Sequence, residues 1–202
     1  MWIKICGLTT AAAVAAALEA RVDAIGFVFA RSVRELAPEA AAALARPARG
    51  RVRCVAVTHH PTQTALDDIV RVLGPDLLQS DAEDLTRLRL PATLETLAVV
   101  RAGGALPVPL PGRILFEGPA SGSGAVSDWS AAAALAQRTQ LVLAGGLSAL
   151  NVADAMAQVQ PFGVDVSSGV EERPGVKSPA AILSFVAAVR AAGGAAPGAR
   201  GV

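Results

Sequence analysis

The chain has 202 residues, 52% of them hydrophobic, which suits one compact domain, read as residues 1–202, with a substantial core. Charged residues are 17% and the formal net charge is +1, with no basic tract, aromatic–basic interleaving or charged tail. That pattern excludes a nucleic-acid surface or disordered binding arm, and no apolar run reaches membrane-spanning length.

In chain order, Trp2–Cys6 reads as a strand, with Thr9 or Thr10 able to cap a helix carrying Val14 and Leu18 four apart. AIGFVF at 24–29 is the second strand, and Pro38 stands near the start of the helical EAAAALAR. RVRCVAV at 51–57 precedes a helix with Leu66, Ile69, Val70 and Leu73 on one stripe. Leu77–Leu78 is a short fourth run leading into DAEDLTRL, and TLAVV at 96–100 is the fifth strand. The following RAGGALPVPLPG, with three prolines and scattered glycines, cannot easily form a full helix. RILFEG at 113–118 is strand six, followed by a glycine-rich loop and a helix from about Asp128. QLVLAGG is strand seven, its helix marked by Val152, Met156 and Val159, and PFGVDV is strand eight. Ser178 and Pro179 form an N-cap and first-turn pair for a last helix with Ile182, Phe185, Val186 and Val189 inward.

Eight strands alternating with helices predict a closed (β/α)8 barrel with a reduced or missing fifth helix. An open doubly wound sheet is the competitor, but the first strand–helix turn lacks the GxGxxG of its dinucleotide-binding form. The N-terminus begins directly with a strand pattern and shows no secretory signal, so a cytoplasmic location is expected.

In such a barrel, chemistry gathers at the C-terminal strand ends. Cys6, Arg34, Asp128 and Asp165 all fall there, and Glu117 ends strand six. Cys6 shares a strand face with Lys4, whose ammonium would favour a thiolate if close enough, while Gly7 permits close backbone approach. Cys54 lies within strand three and reads as packing. Two cysteines without CxxC or a Cys/His cluster offer neither a disulfide framework nor a metal site. Asp128 suits an N-cap; acid catalysis there needs burial or substrate contact to oppose the helix start's preference for a carboxylate. Asp165 inside GVDV fits a polar mouth position better than passive packing. LAGGL at 143–147 and DVSSGVE at 165–171 follow the last two strands, where backbone amides commonly receive phosphate. Arg34 suits a fork to an organic carboxylate. His59 and His60 read as loop or capping residues, since no second ligand cluster accompanies them. Arg49, Arg51 and Arg53 read as surface packing or an internal ion pair.

Taken together, KICGLT, AIGFVF, SVR, SGSGAVSDW, LAGGL and DVSSGVE resemble the phosphoribosylanthranilate isomerases of tryptophan biosynthesis, in order and over almost the whole chain. The resemblance implies an isomerase needing no metal or organic cofactor, a phosphorylated small-molecule substrate and no obligatory protein partner. It implies Cys6 as general base, Asp128 as general acid, Arg34 on the anthranilate carboxylate and Asp165 orienting the substrate. Gly145, Gly146, Ser167, Ser168 and Gly169 match segments around the phosphate. The chain departs from the common pattern at Gln79, Glu117, Ala125 and Ser127, where histidine, aspartate, lysine and phenylalanine are frequent. Alternatives are another phosphosugar isomerase or lyase on the same barrel, or a non-catalytic phosphate-binding barrel. With lysine only at Lys4 and Lys177, a lysine-dependent indole-forming synthase is disfavoured.

Overall fold

The structure, a computed structural model, describes residues 1–118 and 127–194. Eight parallel strands close on themselves in sequence order: β1 (Trp2–Cys6), β2 (Ala24–Val28), β3 (Arg53–Val57), β4 (Leu77–Asp81), β5 (Glu95–Arg101), β6 (Arg113–Glu117), β7 (Gln140–Leu143) and β8 (Gly163–Val166). Closure is made by β1 against β8, with Lys4 opposite Asp165 and Ile5 opposite Val166. Helices α1 (Ala11–Glu19), α2 (Pro38–Ala45), α3 (Gln63–Leu73), α4 (Ala82–Arg87), α5 (Trp129–Ala136), α6 (Val152–Val159) and α7 (Pro179–Gly194) follow every strand except β5. Residues 102–112 join β5 to β6 without a helix, as the prolines and glycines predict.

Strand alternation sorts the side chains into two cores. Outward-facing Ile3, Ile5, Ile25 and Phe27 share a buried cluster with Val14, Leu66, Val152, Met156, Ile182, Phe185 and Val189 of the helices. Each such side chain contributes about 1.5–3 kcal/mol by leaving water. Inward-facing Ala24, Val55, Leu77, Leu97, Leu115 and Val142 fill the barrel's middle. Below them Trp2 stacks on Phe162 with centroids 6.4 Å apart, and Arg113 lies 4.6 Å from the Phe162 ring centre. Arg53 pairs with Glu95 at 2.6 Å on the exposed surface near that end of β3. The barrel interior is thus plugged at its base and opens at the upper ends of the strands.

Local signals set the helix starts. Thr10, Thr62 and Asp128 each accept a backbone N–H from the residue three further on. Ser178 does the same ahead of Pro179. The fourth strand is longer than its apolar run: it continues through Gln79, Ser80 and Asp81, all buried. The barrel mouth and the Asp84 carboxylate accommodate those polar side chains, so hydropathy alone stops the strand too early. Between β8 and α7 a one-turn 3-10 segment (Ser168–Val170) precedes a two-stranded antiparallel pair, β9 (Glu171–Arg173) and β10 (Val176–Lys177), which no sequence pattern announces. Among the described residues no helix is long and apolar enough to cross a membrane.

Candidate active site

A cavity of about 460 Å³ opens at the C-terminal ends of the strands. Its walls bring together Cys6 from β1, Arg34 from the β2–α2 loop, Gly145 and Gly146 after β7, and Asp165, Ser167 and Ser168 from β8 and the turn after it. Seven of the nine residues expected at the site therefore converge, although they span the chain from its sixth residue to its 168th.

The strand register explains the floor. Lys4 and Cys6 point inward from β1, and Asp165 points inward from β8. Lys4 is fully buried and its Nζ donates to Asp165 Oδ1 at 3.0 Å. Burial alone would push the Lys4 pKa down, but Asp165 and the adjoining Cys6 reverse this and hold it above its ordinary value. The proton therefore stays on Lys4. Burial also pushes the Cys6 thiol up, with the Lys4 ammonium pulling in the opposite direction. Gly26 of β2 makes room for this group: a Cβ there would stand 3.2 Å from both Cys6 Sγ and Lys4 Cε. Cys54 faces the outer core, and burial raises its pKa to about 11, which agrees with a packing role.

Arg34 lines the cavity, but its Nε and Nη2 form a fork to Glu171 at 2.7 and 2.9 Å. That bidentate bond holds the guanidinium above its ordinary pKa, and Nη1 is the nitrogen outside the fork. Glu171 also accepts from Lys177 at 2.7 Å, and Lys177 donates to the backbone and hydroxyl oxygens of Ser167, both at 3.0 Å. Ser167 Oγ in turn donates to the Cys6 carbonyl at 3.1 Å. One buried polar chain thus links Arg34, the turn after β8 and the end of β1. Gly7 is required here: its φ is +74°, and a Cβ would come within 2.6 Å of Arg34 Cδ.

Gly169 does not line the cavity. Its role is close packing, since a Cβ would fall 1.9 Å from the Leu147 carbonyl oxygen and force the two turns apart. Asp128 is also not among the cavity-lining residues; it is exposed and accepts the Ala131 N–H at 3.0 Å. Residues 119–126, including Ala125, lie outside the described residues. Ser127 is buried, and its Oγ has no hydrogen-bond partner among the described residues.

Several cavity residues carry no strong local signal. Gln79 is buried at the wall with an Oε1 that has no hydrogen-bond partner among the described residues, and Arg101 pairs with Asp81 and Glu117 across adjacent strands. Arg101 and Asp81 are the two that the sequence reading did not single out, and inward parity on β4 and β5 is the clue that would have found them. Lys177 and Glu171 were hidden by the unanticipated β9–β10 turn. His59 and His60 follow β3, and His59 Nδ1 lies 2.8 Å from Asp81 Oδ2.

A plugged eight-stranded parallel barrel with its thiol, its buried ion pair and its glycine turns at the strand mouths belongs to the (β/α)8-barrel class of enzymes. The family model for N-(5'-phosphoribosyl)anthranilate (PRA) isomerase matches residues 3–188. The chain belongs to this family. It is 40% identical to the N-(5'-phosphoribosyl)anthranilate isomerase of Rhizobium etli, covering 94% of each chain. TrpF from Jonesia denitrificans superposes with a TM-score of 0.80 at 36% identity, over 96% of this chain and 98% of that one. A phosphoribosyl anthranilate isomerase in complex with reduced 1-(o-carboxyphenylamino)-1-deoxyribulose 5-phosphate aligns with a TM-score of 0.80 at 28% identity, over 95% and 99%.

Proposed function

We propose that the chain converts N-(5-phosphoribosyl)anthranilate to 1-(2-carboxyphenylamino)-1-deoxyribulose 5-phosphate, an Amadori rearrangement in tryptophan biosynthesis, with Cys6 as base and Asp128 as acid. Family membership over nearly the full chain supports the reaction. The roles rest on one observation above all: Cys6 faces a cavity that also holds Asp165, Arg34 and the paired turns after β7 and β8.

Asp128 donates a proton to the furanose ring oxygen; the C1–O bond breaks and the nitrogen lone pair forms an iminium. The cationic nitrogen acidifies the C2–H, and the Cys6 thiolate removes that proton to give an enolamine. The enolamine then loses its C2 hydroxyl proton and gains one at C1, yielding the ketone. The two proton transfers need groups on different sides of one sugar. Asp128 therefore has to exchange its capping contact for the substrate, a change available to an exposed side chain. Phosphate is assigned to the turns at Gly145–Gly146 and Ser167–Ser168, whose backbone amides suit an anion. Asp165 orients the anthranilate amine, and the remaining guanidinium nitrogen of Arg34 addresses its carboxylate. Anchoring both ends aligns the reacting carbons. The reaction requires no metal or organic cofactor in this scheme. We place it in the cytoplasm, consistent with two free buried cysteines.

The test is turnover of freshly generated substrate by the intact chain and by Cys6→Ser and Asp128→Asn. Both variants should lose turnover by about 100-fold or more while retaining the fold. Unchanged turnover in both refutes the acid–base assignment, and none in the intact chain refutes the reaction.

A further inference from the structure

Beyond the proton-transfer site, the cavity rim carries a second group of chemistry-bearing side chains. His59, His60 and Asp81 come from the ends of neighbouring strands β3 and β4, and one ligand atom from each lies within 4.8 Å of the other two. We propose that these three residues form a binding site for a borderline-soft divalent cation of the zinc type, separate from the isomerase chemistry.

The spacing fits such an ion. Metal–nitrogen and metal–oxygen bonds of about 2.0–2.2 Å in tetrahedral geometry require ligand atoms about 3.4 Å apart. His59 Nδ1 stands 2.8 Å from Asp81 Oδ2, and His60 Nε2 stands 3.8 Å from the same oxygen. The two separations bracket the required value. The rings are already held side by side, with centroids 4.1 Å apart.

The surroundings supply what a ligating histidine needs. His60 Nδ1 lies 3.1 Å from Asp84 Oδ1, so its N–H is directed at a carboxylate and the Nε2 lone pair is left toward Asp81. Carboxylate-to-histidine contacts of this kind fix the ring tautomer in metal sites and raise ligand basicity. Asp84 is itself buried, accepting from Ser80 Oγ and the His60 backbone N–H, both at 2.8 Å. The second contact holds His60 at a φ of +49°, a conformation side-chain-bearing residues seldom adopt. Asp81 uses Oδ1 for Arg101 and keeps Oδ2 for the histidines. Both imidazoles are about half exposed, at 54% and 56%, which leaves room for water or a ligand on the remaining positions. Two imidazoles and one carboxylate select zinc, cobalt or nickel over magnesium, which prefers an all-oxygen octahedral shell.

Titration of the intact, metal-stripped protein with Zn²⁺ by calorimetry, and with Co²⁺ by visible absorption, tests the site. The expected result is one ion per chain, affinity reduced at least tenfold in both His59→Ala and His60→Ala, and no reduction in Cys6→Ser. Mg²⁺ at the same concentration should give no binding heat. Absence of saturable binding, undiminished binding in the histidine variants, loss of binding in Cys6→Ser, or equal binding of Mg²⁺ would each overturn the proposal.

Discussion

At the residue scale, the reactivity of Cys6 is decided by a contest between burial and a neighbouring ammonium. Burial pushes the thiol above its ordinary value and Lys4 pulls it back. A rate carried by the thiolate should therefore climb with pH into the alkaline range in the substrate-free enzyme. Lys4→Met removes the opposing charge, so the rising limb of kcat/KM against pH should move to still higher pH. A limb that stays in place would mean that Lys4 does not tune the base. Gln79 poses a different question, since it lines the cavity and its buried Oε1 has no partner among the described residues. If a bound substrate satisfies that oxygen, Gln79→Ala should raise KM about five- to tenfold with a smaller effect on kcat. Asp165 was legible in the sequence because a carboxylate is out of place in an apolar strand, and the thiol because it ends its strand beside Gly7 with Lys4 on the same face. Arg34 was legible as a site residue, but its fork to Glu171 was not, because the contact joins positions 137 residues apart.

At the scale of elements, Asp84 joins α4, the end of β4 and the turn after β3. Burial favours its neutral form, but Arg87, Ser80 and His60 outweigh that effect and lower its pKa from 3.8 to about 2. A lowered carboxyl stabilises the fold above its unfolded value and loses that contribution as pH falls toward 2. Asp84→Asn should therefore reduce unfolding free energy by about 2 kcal/mol at pH 7, with the deficit shrinking below about pH 4. Denaturant titrations at several pH values measure this directly, and a deficit independent of pH would contradict it. Strand and helix order was readable throughout because parity and helical spacing repeat in every unit. Polar strand ends were less readable: β4 hides three buried polar residues after its two leucines. The β9–β10 pair has only two or three residues per strand, too few for any periodicity to register.

At the scale of the whole molecule, the floor of the site is also the seam of the barrel. Lys4 and Asp165 face each other across the junction of the first and last strands. Removing only Asp165 leaves an uncompensated buried charge and should destabilise the fold by about 3–5 kcal/mol. The double replacement Lys4→Met with Asp165→Leu should recover much of that stability without recovering turnover. Thermal unfolding of the two single variants and the double variant checks this, and a double-variant loss equal to the sum of the two single losses would show that the pair is not coupled. Closure was inferable from eight repeats, but the pairing of β1 with β8 depends on geometry that no local window contains. Asp128 illustrates the same limit. Its place at a helix start was evident, whereas its exposure and its absence from the cavity lining emerged only from the folded arrangement. The central claim is that a thiol from the first strand and this carboxyl address one sugar from two sides. A crystal structure of the chain with reduced 1-(o-carboxyphenylamino)-1-deoxyribulose 5-phosphate tests it most directly. The account predicts Cys6 Sγ beside C2 and an Asp128 oxygen within about 3.2 Å of the ligand's sugar-chain oxygens. An Asp128 still confined to its helix cap and pointing to solvent beside a fully bound ligand would contradict it.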